Sequence, residues 1–384
     1  MFSDKMQYFE PSVFIKIREA MESCSLPICD LSVGTPDLPP PRHVIDAFLG
    51  AAANMENYKY ALADKPSLVE AATEWYARRF SVSLNSENIC GLIGSQDGLA
   101  HLPLVLLNPH DSILVPNPGY PMFLSGARLA GASVVDISLH EGNGYLVDCD
   151  AISPAVAHAA KLLIISYPAN PLGRLAPLEF FEKTVWFAKK YGIYVIHDNA
   201  YAELVFDGAK AHSFLEAKGA FDVGVEFNSL SKSYNLTGAR ISFMLGNSAM
   251  CASLSRLKSN IDYGIFKPVQ AMAIAAITGP QDCLTTLRDE YQNRRDALIA
   301  ALSEGGWKVM PPEGTMFVWA KLPSTFPDSV DFVMRLLNNT GVAVVPGISF
   351  GSQGEGYIRI GLVRPAAEMD CAARKITGFI QKAS

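Results

Sequence analysis

Two apolar segments separated by an amphipathic stretch place the strongest constraint on the fold of this chain. Residues 162–165 read Leu-Leu-Ile-Ile, and a second apolar run at residues 195–196 precedes an acidic residue. Between them, one face of a predicted helix at residues 177–191 carries the apolar side chains Leu178, Phe181, Val185 and Ala188. A strand, a crossover helix and a second strand make parallel neighbours. The sequence therefore predicts an α/β fold with a large, mostly parallel sheet.

The spacing of the later segments adds detail to this fold. Residues 241–245 follow the preceding loop too soon for a crossover helix, so we expect one antiparallel strand there. We predict a large domain over residues 44–279. Residues 1–43, as an N-terminal arm, and residues 280–384 would form a smaller α+β domain, with a strand at residues 316–319.

Composition narrows the class of protein. The chain has 384 residues, of which 49% are hydrophobic. Its net charge is -6, so the composition does not indicate a basic surface for binding nucleic acid. Neither a signal-peptide pattern nor an apolar run of ~20 residues is present, so we expect no membrane partner and a cytoplasmic location. Seven scattered cysteines and seven histidines lack the spacing of ligand sets, and we predict reduced thiols and no metal site.

Lys232 lies in a segment that suits an aldehyde cofactor bearing a phosphate. Hydroxyl side chains at Ser229 and Ser231 precede it, and Arg240 follows eight residues later. A lysine amine can form a Schiff base with a carbonyl, and pyridoxal phosphate uses this bond as an electron sink. The hydroxyls and the bidentate guanidinium would then hold the phosphate. Since most single lysines are simply solvated, this assignment depends on other segments.

Two polar residues follow the predicted strands. Asp198 ends the run at residues 195–196, and ligands of open α/β sheets bind at the carboxyl ends of strands. A carboxylate there can keep a pyridine nitrogen protonated. Asn170 lies in an Asn-Pro-x-Gly turn after the first run and can donate to a phenolate oxygen, although such a motif also makes a tight turn without any cofactor.

Taken in order, these motifs resemble those of the class I/II aminotransferases, fold type I enzymes that depend on pyridoxal phosphate. The motifs are N-P-x-G at residues 170–173, D-x-A-Y at 198–201 and S-x-S-K-x-x-x-x-x-G-x-R at 229–240, and the resemblance covers nearly the whole chain. Similarity to the branch holding LL-diaminopimelate and alanine aminotransferase-like enzymes rests on residues 94–101, 115–121 and 258–264.

The resemblance implies a role for each matching residue. Lys232 looks like the lysine that carries the cofactor and moves the substrate's α-proton, and Asp198 like the partner of the pyridine nitrogen. Asn170 and Tyr201 match the pair that hydrogen-bonds the ring hydroxyl, and Tyr120 matches the aromatic residue that stacks on the ring. The residues that match phosphate contacts are Ser95, the backbone around Gln96, Ser229, Ser231, Arg240 and, from a partner subunit, Tyr60.

Substrate recognition is implied near the C-terminus. Arg359, flanked by isoleucines, matches the residue that binds the substrate carboxylate, and Gly34 matches a backbone contact to the same group. Asn170 matches a further substrate-binding residue. An arginine in an apolar strand is costly to bury without an anionic partner. The alternative is an edge arginine that points to water.

The sequence departs from its relatives around Tyr60, which Lys65 and Val69 follow where many relatives carry a glycine and an arginine. Leu172 and Ala239 also replace commoner residues of the motifs, a threonine and a tryptophan. These changes leave the catalytic atoms in place and put the loop after Tyr60 in doubt. The resemblance implies a homodimer with shared active sites, because Tyr60 would reach the phosphate of the other subunit.

The resemblance implies transfer of an amino group from an L-amino acid to a 2-oxo acid by a ping-pong mechanism, with glutamate and 2-oxoglutarate as the common pair. A C–S lyase or another pyridoxal phosphate-dependent activity of the same fold would use the same residues, and the lyase would release pyruvate and ammonia. A regulator that binds the cofactor as a ligand is a second alternative, and we expect no room for its DNA-binding domain ahead of residue 30. A non-catalytic homologue is a third, although the retained Lys232 and Asp198 argue against it.

Overall fold

The structure is a computed structural model that describes residues 3–9 and 13–383. Strands and helices alternate along much of this part of the chain. The strands in chain order are β1 (Cys29–Asp30), β2 (Ile89–Leu92), β3 (Ser112–Asn117), β4 (Ser133–Ser138), β5 (Ala160–Ser166), β6 (Tyr194–Asp198), β7 (Gly224–Ser229), β8 (Ser242–Gly246), β9 (Phe317–Lys321), β10 (Val342–Ala343), β11 (Val345–Pro346) and β12 (Tyr357–Gly361).

The helices lie before, between and after these strands along the chain. In chain order they are α1 (Val13–Ser23), α2 (Arg42–Ala52), α3 (Pro66–Phe80), α4 (Ser95–Leu106), α5 (Phe123–Ala130), α6 (Pro154–Ala159), α7 (Leu178–Tyr191), α8 (Ala220–Val223), α9 (Leu230–Ser233), α10 (Ser248–Lys258), α11 (Lys267–Thr278), α12 (Asp282–Glu304), α13 (Ser329–Thr340) and α14 (Ala366–Ala383).

Seven strands form the central sheet in the order β2-β8-β7-β6-β5-β3-β4. Strands β4, β3, β5, β6 and β7 pair in parallel, whereas β8 runs antiparallel to both β7 and β2. Helix α7 connects β5 to β6, as the apolar pattern of the sequence predicts. The predicted fold class, including its one antiparallel strand, is confirmed.

The central sheet is buried on both faces because successive residues of its strands supply two separate cores. In β5, Leu163 and Ile165 pack in one core with α7 and α11, whereas Leu162 and Ile164 pack in the other with α4 and α10. This arrangement explains why β5 reads as a continuous apolar run, the pattern of a parallel strand covered by helices on both sides.

A second, smaller unit surrounds the antiparallel sheet β11-β12-β9, and β1 pairs in parallel with β10. Its core includes apolar residues of α12, α13 and α14. Leu204 and Phe206, which follow β6, also pack there, whereas Val44 packs against the central sheet. The domain boundaries at residues 44 and 280 stay a prediction.

The strand directions bring several loops to one edge of the central sheet. The carboxyl ends of the parallel strands β5, β6 and β7 meet there. Because β8 is antiparallel to β7, its amino end lies at the same edge, so Arg240, just before β8, returns toward the loop that follows β7. This edge is where open α/β sheets bind their ligands. Among the helices in the described part of the chain, none has the length and apolarity to cross a membrane.

Candidate functional site

A cavity of about 1030 Å³ opens at this edge of the sheet. With the exception of Tyr60, all the site residues predicted from the sequence line it. They are Gly34, Ser95, Gln96, Tyr120, Asn170, Asp198, Tyr201, Ser229, Ser231, Lys232, Arg240 and Arg359.

Lys232 reaches this cavity from the short helix α9, which directly follows β7. Its Nζ donates a hydrogen bond of 2.5 Å to the carbonyl oxygen of Gly34. Burial and the charges of Arg359 and Arg240 lower the pKa of Lys232 to about 8, against the opposing effect of Asp198. At neutral pH roughly a tenth of this amine is therefore in the neutral form that a nucleophile or a base needs, far more than for an ordinary lysine.

Asp198 is the last residue of β6, and only 7% of its surface is exposed. Its Oδ1 atom is buried without a hydrogen-bond partner. Burial raises the pKa of Asp198 to about 6, although His197, the Ala200 N–H and Lys232 act in the opposite direction. An unpartnered, buried carboxylate oxygen is an arrangement that a protonated ring nitrogen would complete.

Arg359 projects from β12 toward the same cavity, and only 4% of its surface is exposed. Its Nη1 donates to Asn170 Oδ1 at 3.1 Å and its Nη2 to the Ser32 carbonyl at 2.9 Å, while Nε has no partner. The guanidinium lies 4.0 Å from the ring centre of Phe317 and 4.8 Å from that of Phe350. These contacts fix its orientation.

The charge of Arg359 is not neutralised by any carboxylate of the described residues, since all its polar partners there are neutral oxygens. Burial lowers the pKa of Arg359 to about 10. A buried guanidinium is expensive without an anion. A substrate carboxylate, bound through the planar fork, would supply the missing charge. This burial argues against the alternative of an edge arginine that points to water.

The amino end of α4 forms an anion cradle beside Lys232. Helix α4 begins at Ser95, whose Oγ is buried without a partner, and the backbone N–H groups of the first turn are directed to an anion by the geometry of any helix start. The side chain of Gln96 donates to Met122 Sδ at 3.1 Å. The part of Gln96 that belongs to the cradle is therefore its backbone N–H. Gly94 has φ of +78°, and a Cβ atom there would collide with the guanidinium of Arg240.

The hydroxyl residues after β7 complete this cradle. Ser229 caps α9, since its Oγ accepts a hydrogen bond of 3.2 Å from the N–H of Ser231. Arg240 donates to the Thr237 carbonyl at 3.1 Å and adopts a left-handed backbone conformation with φ of +55°. Two serines, an unpartnered third hydroxyl and a guanidinium are donors that match the oxygens of a phosphate group.

Two phenols line the middle of the cavity. Burial and the charge of Asp198 raise the pKa of Tyr120, and burial raises the pKa of Tyr201 well above its usual value. Both side chains are therefore protonated at neutral pH and can donate hydrogen bonds. The ring of Tyr120 packs edge-on against Phe123 with centres 5.7 Å apart, which holds it at the cavity wall.

Tyr60 lies outside this cavity. Its side chain is 79% exposed and its ring packs on that of Tyr263, with centres 5.3 Å apart. Tyr58, Leu62 and Ile261 are other exposed apolar residues of the same two segments. The contact of Tyr60 with a phosphate in a partner subunit stays a prediction.

The sequence did not point to the residues at the outer end of the cavity. Tyr8, Phe9 and Arg128 line it there. Arg128 Nη1 donates to the Tyr8 carbonyl at 3.1 Å, so α5 and the N-terminal segment are joined. No sequence pattern pairs residues this far apart in the chain.

One cluster has the composition of a cation site. Asp97, His101 and Asp262 place potential ligand atoms within 4.8 Å of one another. The Nζ atom of Lys258 pairs with both carboxylates, and this lysine is only 4% exposed. The ammonium group therefore takes the position that a cation would occupy. The absence of a metal from the functional site stays a prediction.

The donor set fits pyridoxal phosphate at both ends of the molecule. Ser95 Oγ and Asp198 Oδ1 are both buried without partners, one in the anion cradle and the other at the end of β6. Phosphate oxygens would satisfy the first, and a protonated ring nitrogen the second. Lys232, whose pKa is lowered to about 8 by burial and by the charges of Arg359 and Arg240, lines the same cavity.

Comparisons with known proteins agree with this geometry. Residues 27–376 match the family described as aminotransferase class I and II. The chain is 40% identical to LL-diaminopimelate aminotransferase of Desulforudis audaxviator, over 98% of this chain and 97% of the relative. It is 39% identical to the glutamate-pyruvate aminotransferase AlaC of Escherichia coli, over 98% of this chain and 93% of that protein.

Among solved structures, substrate-bound BacF from Bacillus subtilis superposes with a TM-score of 0.93 at 37% identity, over 100% of this chain and 97% of BacF. The family match, the relatives and the fold agree with the chemistry of the cavity. The chain therefore belongs to the class I and II aminotransferase family and is a pyridoxal phosphate-dependent aminotransferase of fold type I.

Proposed function

We propose that this aminotransferase moves an amino group from an L-amino acid to a 2-oxo acid by a ping-pong mechanism, with glutamate and 2-oxoglutarate as the common pair. The observation that carries the proposal is the placement of Lys232 and Arg359 in one cavity. An amine that titrates near pH 8 and a buried guanidinium without a carboxylate partner suit a substrate bearing both an amino and a carboxylate group.

Different residues of the cavity would bind different parts of the cofactor. The anion cradle, consisting of Ser95, the backbone at Gln96, Ser229, Ser231 and Arg240, would hold the cofactor phosphate. Asp198 would pair with the ring nitrogen, Asn170 and Tyr201 would donate to the ring oxygen, and Tyr120 would cover one face of the ring. Pyridoxal phosphate supplies a carbonyl that condenses with amines and a ring that takes up electrons.

Lys232 and Arg359 would act on the substrate itself. Arg359 binds the α-carboxylate and so fixes the position of the Cα–H bond. Lys232, in its neutral form, removes the proton from Cα and would pass it to the carbonyl carbon of the cofactor, a role that its lowered pKa favours. The Gly34 carbonyl, which accepts from Lys232, would orient the amine. A contact of Gly34 with the substrate carboxylate would come from its backbone N–H, because a carbonyl oxygen only accepts.

The names of the relatives indicate which substrates to examine first. Those relatives are an LL-diaminopimelate aminotransferase and a glutamate-pyruvate aminotransferase. We therefore propose LL-diaminopimelate and alanine as amino-donor candidates. We also propose a homodimer in which Tyr60 reaches the phosphate of the partner subunit, and a cytoplasmic location, which the seven unpaired cysteines support.

A panel of amino donors, each combined with pyruvate, oxaloacetate or 2-oxoglutarate, tests the proposal. We expect turnover only when both a donor and a 2-oxo acid are present, with initial rates that give parallel lines in double-reciprocal plots. Release of pyruvate and ammonia from a donor alone would instead identify a C–S lyase. Arg359→Lys, which keeps the charge but loses the fork, should raise KM for every donor.

A further inference from the structure

A buried histidine lies directly before Asp198 and has acceptors at both ring nitrogens. His197 is fully buried, and its Nδ1 lies 2.8 Å from Glu226 Oε2. Its Nε2 lies 2.9 Å from the carbonyl oxygen of Tyr167. A backbone carbonyl can only accept, and an ionised carboxylate can only accept. With Glu226 ionised, both ring nitrogens must carry a proton, and the ring is then an imidazolium cation.

Glu226 is surrounded by donors, as an ionised carboxylate requires. Besides His197, its Oε2 accepts from Ser213 Oγ at 2.9 Å and from the Phe214 N–H at 2.8 Å. Its Oε1 accepts from the Tyr76 hydroxyl at 2.6 Å. A carboxylate that receives this many hydrogen bonds is stabilised in its charged form.

The direction of the Tyr76 hydrogen bond is fixed by its second neighbour. Asn228 Nδ2 donates to the Tyr76 oxygen at 3.0 Å, so the one hydroxyl proton is directed to Glu226. Burial alone would raise the pKa of Glu226, but the hydrogen bond and charge of His197 and the hydrogen bond of Tyr76 bring it below its usual value. All these hydrogen bonds can therefore form with Glu226 ionised.

We propose that Glu226 and His197 are positioning residues that form a buried ion pair beneath the cofactor site and keep Asp198 ionised against the cofactor's ring nitrogen. The inference rests on the pairing of Asp198 with that nitrogen, proposed above. The order of charges is then negative at Glu226, positive at His197, negative at Asp198 and positive at the ring. Each charge has an opposite neighbour, which is the condition for keeping charges in a dry interior.

The neighbours of His197 and Asp198 determine how strongly the charges of this network interact. The rings of Phe181 and Phe214 pack on His197, with centres 4.9 Å and 6.5 Å away. Asp198 interacts electrostatically with His197, the Ala200 N–H, Lys232 and the phenols of Tyr120 and Tyr201. In this environment a change of one charge at Glu226 is poorly screened.

Two cofactors that differ at one atom separate an electrostatic role from a structural one. We would measure the dissociation constants of full-length apoenzyme for pyridoxal phosphate and for its analogue with carbon in place of the ring nitrogen. The analogue keeps the phosphate and the carbonyl but cannot be protonated. A preference for pyridoxal phosphate measures the pairing of the nitrogen with Asp198.

Glu226→Gln should reduce this preference by about tenfold, the equivalent of one pKa unit of interaction. The control is Tyr76→Phe, which removes a hydrogen bond from the same carboxylate but leaves its charge. The control should weaken the binding of both cofactors equally, if at all, and keep their ratio. In an Asp198→Asn background, Glu226→Gln should leave the ratio unchanged, since the group on which it acts is gone.

A second measurement does not depend on Glu226→Gln and covers the case in which that variant fails to fold. Nitrogen-15 NMR of histidine-labelled holoenzyme, with His197→Gln to assign the signal, should show two protonated ring nitrogens in His197 at neutral pH. A single N–H at His197, or an unchanged preference in folded Glu226→Gln, would overturn the inference while Asp198 kept its role. Equal affinity of the wild-type protein for the two cofactors would overturn the Asp198 pairing and the inference with it.

Discussion

At the scale of single residues, the active site carries charges in places that disfavour them. Asp198 is buried with an unpartnered oxygen, and Arg359 is buried without an acid among the described residues. Both arrangements cost free energy in the protein alone and are relieved by a ligand of opposite charge. Function and stability therefore oppose each other at these residues.

Asp198→Asn should reveal this opposition. Burial raises the folded-state pKa of Asp198 to about 6, above its unfolded value of about 3.9. The folded state therefore binds more protons between these values, and the free energy of unfolding falls as pH rises through that window. The substitution removes the penalty, so the apoenzyme of the Asp198→Asn variant should gain little stability at pH 4 and about 3 kcal/mol above pH 7.

Thermal unfolding of the two apoenzymes from pH 4 to pH 8 measures the gain, and turnover of the reconstituted variant should fall sharply. Asp150→Asn, a substitution of an exposed carboxylate, serves as the control and should show no such pH dependence. A difference between Asp198→Asn and the wild-type protein that is the same at every pH would contradict the account.

At the scale of elements, the site depends on turns that join strands to helices at one sheet edge. Gly94 precedes α4 with φ of +78°, and only a residue without Cβ leaves room there for the Arg240 guanidinium. Because Arg240 comes just before the antiparallel strand β8, this contact joins two ends of the anion cradle. A methyl group at Gly94 would displace the arginine.

Gly94→Ala should therefore weaken pyridoxal phosphate binding much more than pyridoxal binding, since only the former has a phosphate. Gly192→Ala is the matched control, because Gly192 also has positive φ, of +69°, but has open space around its Cβ position. The backbone alone should cost about 1–2 kcal/mol of stability in Gly192→Ala, whose position is left-handed helical, and about 1–3 kcal/mol in Gly94→Ala, whose ψ of 155° lies in a region essentially restricted to glycine. Equal loss of the two cofactors in Gly94→Ala would contradict a phosphate role for the turn.

The order and direction of several strands could be predicted from the sequence, whereas contacts between buried side chains of neighbouring strands could not. The apolar period of α7 between two apolar runs was enough for the parallel crossover, and the short spacing before β8 for the antiparallel strand. Motif residues at strand ends could be predicted to meet, because parallel strands share an edge. Glu226 could not be paired with His197, since nothing in a strand's own pattern indicates which acid on a neighbouring strand is buried opposite it.

At the scale of the whole molecule, the exposed apolar side chains around Tyr60 are a candidate interface. Met55, Tyr58, Tyr60, Leu62 and Ile261 are each more than half exposed. Exposed apolar residues that cluster in this way mark surfaces that bind another protein. A two-fold dimer would cover such a surface on both subunits and give each a share in the other's site.

Mixing Lys232→Ala with Tyr60→Phe tests the shared sites, once Tyr60→Phe alone is shown to impair cofactor retention. If Tyr60 crosses to the partner, a hybrid dimer combines both lesions in one site and leaves the other intact. Random exchange should then restore roughly a quarter of the wild-type sites. If activity after exchange stays at the level of the unmixed variants, Tyr60 acts in its own subunit.

The central claim, that Lys232 is the residue through which this enzyme holds and uses pyridoxal phosphate, has one direct measurement. Borohydride reduction of the holoenzyme, followed by proteolysis and mass spectrometry, locates the lysine covalently joined to the cofactor. We predict that the label lies on Lys232 alone and that Lys232→Ala, although folded, carries none. A label on any other lysine, or one that persists in Lys232→Ala, would contradict the account.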